Sequence, residues 1–456
     1  MRYVLRILLA IVIMSALIQQ PSYAENSDLY KYLSVPGARA TLPVEAAKEP
    51  FSKKFVDHAR ERFNNFHLQM GGDHALYYLM NLPEFMPTAM SMPAVEFKPL
   101  ERAPNKDVAD IVIETDSEGP LKLSKYSKKE TFRHQGIMMI HKGKVVFEAF
   151  PGMNETDMHV WMSSAKTTVG LISAMLAEED EIDVSQPITK YVPELAGTAW
   201  DNLSVLNLLN HTSGLDSEET GESILDPNSI IVSYFSAIFG TPSSGGCPIE
   251  DTVSVMRAFS PLYGEEPGEV FRYSSPNTDV LTMMIEHVEK KPWAAVFEER
   301  VWGKLGARMP AMFSMRPEGV ALPLGLMSTT LEDMARYGVL FTPSWQAVAQ
   351  EDVVSDDVLQ RIQEGGDPEA FAGSAKDESG FKSFGGERAE SNSYQWDWIF
   401  EDRAMAKSGN LNQIIYVDPK RDFVGVALST APYVEPYGET KAPAYMRKAA
   451  KLLAGE

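Results

Sequence analysis

Ser163 and Lys166 stand three residues apart in the run Ser163-Ser164-Ala165-Lys166. On a helix this spacing puts a hydroxyl and an amine one turn apart on the same face. A serine hydroxyl is a weak nucleophile at neutral pH and needs a base beside it. A lysine serves as that base if desolvation or neighbouring cations lower its pKa. The apolar helix predicted over Thr167 to Ala177 supplies the desolvation, and its N-terminus favours a developing oxyanion. The bland alternative is a serine cap and a lysine that snorkels to solvent. A second S-x-x-K match, Ser379 to Lys382, falls in a polar Gly-rich stretch that nothing fixes. A chain of this length yields about one or two such matches by chance, so context must separate them.

Two further elements carry suitable chemistry. Phe271-Arg272-Tyr273-Ser274-Ser275-Pro276-Asn277 precedes an apolar helix predicted over Thr278 to Val288. Tyr273 at that junction becomes a second proton carrier if a lysine cation lowers its pKa, and is otherwise a core tyrosine. Lys407-Ser408-Gly409 leads into the last pair of strands. Its cation and hydroxyl can hold a substrate carboxylate, and Gly409 lets a ligand approach the backbone; otherwise it is a solvated strand end.

Other chemistries find no support. There is no G-x-S-x-G elbow, no H-E-x-x-H helix and no Gly-rich phosphate loop. The single cysteine, Cys247, excludes an intrachain disulfide and a Cys-rich zinc site, and no metal or cofactor is expected. With 42 basic and 63 acidic residues the formal charge is −21, which argues against a nucleic-acid partner. The partner expected is a small molecule. The 456 residues, 44% hydrophobic and 23% charged, are ordinary globular composition.

The elements that must position these groups are readable in outline. Arg2 and Arg6 precede the apolar run Ile7 to Ile18, and Ser22-Tyr23-Ala24 suits signal peptidase. Residues 1–24 are therefore expected to be a cleaved signal peptide, giving an exported protein, periplasmic or secreted. The run is too short to span a bilayer, which takes ~20 residues, so no stable membrane insertion is expected after cleavage. Residues 25–105 read as an irregular, Pro-punctuated extension with one helix, Ser52 to Phe66. Residues 106–456 form the main domain. Gly136 to His141 and Lys144 to Phe150 predict a hairpin turning at Lys142-Gly143. Gln413 to Val417 and Phe423 to Leu428 predict a second, and Ala442 to Leu453 a closing helix. Residues 180–345 read as an inserted helical lobe, and 365–390 as a mobile polar loop.

The ordered set S-x-x-K, Tyr-Ser, Lys-Ser-Gly resembles the serine β-lactamase and penicillin-binding protein superfamily. The nearest likeness is to its class C-like branch, which includes family VIII esterases and 6-aminohexanoate-dimer hydrolases. Linking segments share it: Leu203–Leu215 (LSVLNLLNHTSGL), Pro267–Ser274 (PGEVFRYS), Gly325–Gly338 (GLMSTTLEDMARYG) and Gln413–Pro419 (QIIYVDP). The resemblance implies an α/β fold of the β-lactamase/DD-peptidase type, a mixed antiparallel sheet flanked by helices. It implies that Ser163 is acylated, that Lys166 is its base or proton relay, and that Tyr273 is the partner base. The oxyanion hole would be the Ser163 N–H and a backbone N–H just after Gly409. Where lactamases of this branch have Tyr-x-Asn, the third position here is Ser275, and Asn277 follows two residues later. A second parsing takes Ser275-Pro276-Asn277 as the S-x-N element of penicillin-binding proteins, with Ser275 as proton carrier. Loss of the Tyr-x-Asn amide favours a carboxylesterase or linear-amide hydrolase over a β-lactamase. A penicillin-recognising peptidoglycan enzyme and a catalytically silent binding protein with the same pocket are the alternatives. His211 reads as structural.

Overall fold

The hairpin at Lys142-Gly143 forms because both turn residues take positive φ, 50° and 70°, the geometry that matches the twist of paired strands. It joins His134–His141 to Lys144–Ala149, the sixth and seventh strands of an eight-stranded sheet. The sheet runs Ser391–Ser393, Trp396–Ile399, Met405–Gly409, Gln413–Asp418, Phe423–Ser429, His134–His141, Lys144–Ala149 and Glu101–Arg102. All neighbours are antiparallel except the last pair. The computed structural model describes residues 42–224, 226–241, 250–431 and 439–456, so the expected signal peptide lies outside the described residues.

Every residue of Gln413–Asp418 and Phe423–Ser429 is buried, so both faces of the sheet are covered. Alternate side chains supply two cores, as the period of a strand requires. Ile137, Met139, Ile414 and Tyr416 pack with Tyr445 and Ala449 of the closing helix, Ala442–Ala454. Met138, Ile140, Ile415 and Val417 pack with Met334 of the helix Leu331–Val339 and with the helix Lys166–Glu178. The latter lies so close to the chain that a Cβ on Gly170 would sit 1.9 Å from the Tyr394 carbonyl oxygen.

A second sheet holds the order Thr88–Ser91, Ala311–Ser314, Met327–Thr329, His159–Val160, all antiparallel. Three expectations need correction here. The stretch 180–345 is not wholly helical, because Ala311–Ser314 and Met327–Thr329 pair with strands far away in sequence. The stretch 365–390 contains the helices Pro368–Phe371 and Ala375–Ser383. Asp367 and Ser374 cap them by accepting from backbone N–H groups, which starts a helix despite a polar composition. Ser379 sits on the second of these, with its hydroxyl bonded to Lys376 O. In the extension, Ser52 caps a helix that ends at Arg62 rather than Phe66, and two more follow at Asn65–Gln69 and Gly72–Asn81. The extension also gives a strand to each of these two sheets, Thr88–Ser91 and Glu101–Arg102.

Candidate active site

The strand His159–Val160 delivers the chain to a sharp turn. Met162 takes φ 48°, a left-handed conformation that costs a residue with a side chain on the order of 1–3 kcal/mol. A 3-10 turn, Met162–Ala165, then runs into the helix Lys166–Glu178. Ser163 stays partly exposed on this turn, while Lys166 is fully buried. Lys166 Nζ lies 3.4 Å from Ser163 Oγ and 2.9 Å from Ser275 Oγ, and it also donates to Leu324 O. Burial brings the amine down to about 7, with Glu219 pulling it up and Lys407 pushing it further down. A substantial fraction is therefore neutral near pH 7, the state a base requires.

Tyr273 comes from the segment before the helix Ser275–Glu289, which carries Pro276 in its first turn. His211 positions it: the two rings stack with centroids 4.9 Å apart, and His211 Nδ1 accepts from Ser274 N–H at 3.4 Å. Burial, then the charges of Lys407 and Lys166, keep His211 far below its ordinary pKa and so neutral. The Tyr273 hydroxyl is buried without a hydrogen bond of ordinary length. Burial and the carboxylates of Asp397 and Glu219 push it well above 10, against a lowering pull from nearby Ser163. The expected lowering of the phenol is thus corrected. A buried phenol facing two carboxylates stays protonated, and its chemistry is that of a donor. The Nζ atoms of Lys407, Lys376 and Lys166 lie 4.6, 4.8 and 5.3 Å from its ring centroid.

The strand Met405–Gly409 completes the group. A Cβ on Gly409 would lie 2.6 Å from Trp161 O and 2.9 Å from Ser163 N, so only glycine lets this strand reach the nucleophile. The Gly409 backbone therefore runs directly against the Ser163 N–H. Lys407 departs from expectation. Its side chain is wholly buried and donates to Asp397 Oδ1 at 2.6 Å, so its charge is committed inside the protein. Burial lowers it to about 8, with Asp397 pulling upward. Ser408 donates to Asp397 Oδ2 from both N–H and Oγ. Lys376, which the sequence did not single out, shares that carboxylate at 3.2 Å and donates to Ser408 Oγ at 3.2 Å. Its side chain keeps 19% exposure against none for Lys407, so Lys376 is the more exposed of the two cations on Asp397.

Asn277 is not brought to the cleft. Two residues beyond Ser275 on a helix is a rotation of about 200°, which turns it into the core. There it is fully buried and donates to Ser213 Oγ at 3.3 Å. Glu219 and Asp397 also went unremarked in the sequence. Asp397, flanked by Trp396 and Trp398 in a buried strand, was the one detectable signal, because a lone buried charge demands a partner. Lys376 and Glu219 sit in polar stretches where a charge means nothing by itself. Among the described residues no group of three His, Cys, Asp or Glu side chains could hold a metal ion.

Ser163 opens on a narrow cleft of about 30 Å³. A larger surface hollow of about 400 Å³, between Pro99–Glu101 and Pro343–Ala347, holds none of these groups. Residues 132–450 match the family model described as Beta-lactamase. The chain belongs to the β-lactamase family. Its fold is the β-lactamase/DD-peptidase type, and it is a hydrolase of that superfamily. It is 29% identical over 299 residues to 6-aminohexanoate-dimer hydrolase of Paenarthrobacter ureafaciens, covering 65% of this chain and 72% of that one. It is similar in structure to a putative 6-aminohexanoate-dimer hydrolase from Bacillus anthracis, with TM-score 0.69 and 19% identity over 89% of this chain and 99% of that one. EstCE1, a hydrolase with promiscuous acyltransferase activity, aligns with TM-score 0.51 and 16% identity, over 70% and 94% of the two chains.

The two parsings of the proton carrier predict different variants. Ser275→Ala removes one hydrogen bond to Lys166, worth ~1 kcal/mol, and should lower kcat/KM by less than ~10-fold. Tyr273→Phe removes a proton donor and should cost ~10²-fold or more. Steady-state kinetics on one ester decides, and the reverse order would make Ser275 the carrier.

Proposed function

We propose that this protein is a serine hydrolase that cleaves a small ester or linear amide through an acyl-enzyme on Ser163. The observation that carries this is a buried amine lowered to about 7 and placed 3.4 Å from a partly exposed serine hydroxyl. Neutral Lys166 takes the Ser163 proton as Oγ bonds to the substrate carbonyl carbon. The carbonyl oxygen takes up the negative charge beside the Ser163 N–H and the Gly409 strand. As the intermediate collapses, the bond to the leaving alkoxide or amine breaks. A proton reaches that group through Tyr273, replaced from Lys166. Water then attacks the acyl carbon, giving a proton back along the same path and releasing the acid with Ser163 restored.

Ser275 stands where the lactamase motif has asparagine, and its hydroxyl is occupied by Lys166. No side-chain amide is therefore supplied at that place to grip an acylamino group, which favours esters and linear amides over β-lactams. The relatives named 6-aminohexanoate-dimer hydrolase and EstCE1 are consistent with this range. Intact mass after treatment with an activated phosphonate should show one adduct on the wild type and none on Ser163→Ala. An adduct that survives the substitution refutes the assignment. A stable adduct with a labelled penicillin would move the reading to a penicillin-recognising enzyme.

A further inference from the structure

Ser163 has two flanks, and they differ in kind. On one stand Tyr273, Ser408 and Lys376, the groups that handle protons and charge. On the other the cleft is walled by Leu68 and Gln69 from the extension and by Phe235 and Phe239 from the helix Ile230–Phe239. Leu68 has no exposed surface, and Phe235 and Phe239 are 5% and 7% exposed. The short helix bearing Leu68 is tied in at both ends. Asn64 caps it by accepting from His67 N–H at 2.9 Å. At the far end Asn410, next to Gly409, donates to Gln69 O and Gln69 Oε1 at 2.9 and 3.1 Å. Before it, Phe63 packs with its ring centroid 6.3 Å from that of Phe239.

The leaving group must face the proton donor, so the acyl group faces this apolar wall. The whole cleft, Ser163 and Ser275 included, has only about 30 Å³ of free space. Glu219 also lines it, its carboxylate accepting from Ser275 N–H, and disfavours an anionic acyl chain. Building on the acyl-enzyme reading, we propose that Leu68 of the N-terminal extension closes the acyl subsite against Phe239. The enzyme is thereby restricted to short, uncharged acyl groups of the acetyl-to-butyryl class. A longer chain has to displace side chains that belong to the core, which the dense packing resists.

The test is a chain-length series of p-nitrophenyl esters, acetate to octanoate. It uses the wild type, Leu68→Ala and Phe239→Ala, with active sites counted by phosphonate labelling of Ser163. In the wild type kcat/KM should fall by ~10-fold or more from butyrate to octanoate. Either variant should raise the octanoate-to-acetate ratio by ~10-fold or more, since each added methylene in a closed pocket discriminates by that order. If Leu68→Ala does not fold, Phe239→Ala opens the same wall from the other side. A wild type that takes octanoate as readily as acetate overturns the inference. So does an unchanged ratio in a variant that folds and labels. If Ser163 of the wild type takes no label from any ester or phosphonate, the acyl-enzyme reading itself fails, which is a separate result.

Discussion

Lys166→Met should fold and lose ~10²–10⁴-fold in kcat/KM, the usual contribution of a general base. The substitution removes an amine bonded to Ser163, Ser275 and Leu324 O and leaves an apolar chain of similar length in a fully buried place. The lost hydrogen bonds and the relieved desolvation of the amine act in opposite directions, so thermal denaturation should change little. The pH profile is the sharper readout. The folded Lys166 is lowered from 10.5 to about 7, and the neutral form is the active base. Below about 7 the wild-type kcat/KM should therefore fall with falling pH, ~10-fold per unit, and above it level off. In Lys166→Met that acidic limb should vanish. A limb that survives there belongs to another group, and the assigned base would be wrong.

Asp397→Ala should be the most destabilising single change near the site. The carboxylate is fully buried and holds Lys407, Lys376 and Ser408 together. Burial alone would raise its pKa, but Lys376 and Lys407 outweigh that and hold it well below the usual carboxylate range. Removing it strands the Lys407 ammonium with no exposed surface, an error that costs ~3–5 kcal/mol in buried pairs. Against a typical total of ~5–15 kcal/mol this is a large fraction, visible as a lowered urea midpoint. Adding Lys407→Met should restore much of the loss, because the stranded charge is gone. A double variant no more stable than Asp397→Ala would show that Asp397 matters for some other reason. Activity should stay low in both, since the strand that carries Ser408 and Gly409 loses its tie to Asp397.

The chain's own order determined what depends on near neighbours. Ser163 and Lys166 face each other because three residues make almost one helical turn, and Lys142-Gly143 turns a hairpin because that pair accepts positive φ. The paired strands near residue 420 and the closing helix followed from periodicities that need no distant partner. The tertiary structure decided everything that depends on which groups share a dry interior. It set Lys166 near neutrality and kept the Tyr273 phenol protonated. It committed Lys407 wholly to Asp397 and left Lys376, on the same carboxylate, partly exposed. It turned Asn277 inward and brought Leu68 of the extension against the nucleophile's cleft. Charge state and pocket shape are properties of an assembled environment: desolvation and Coulomb forces act through space, and residues far apart along the chain supply them.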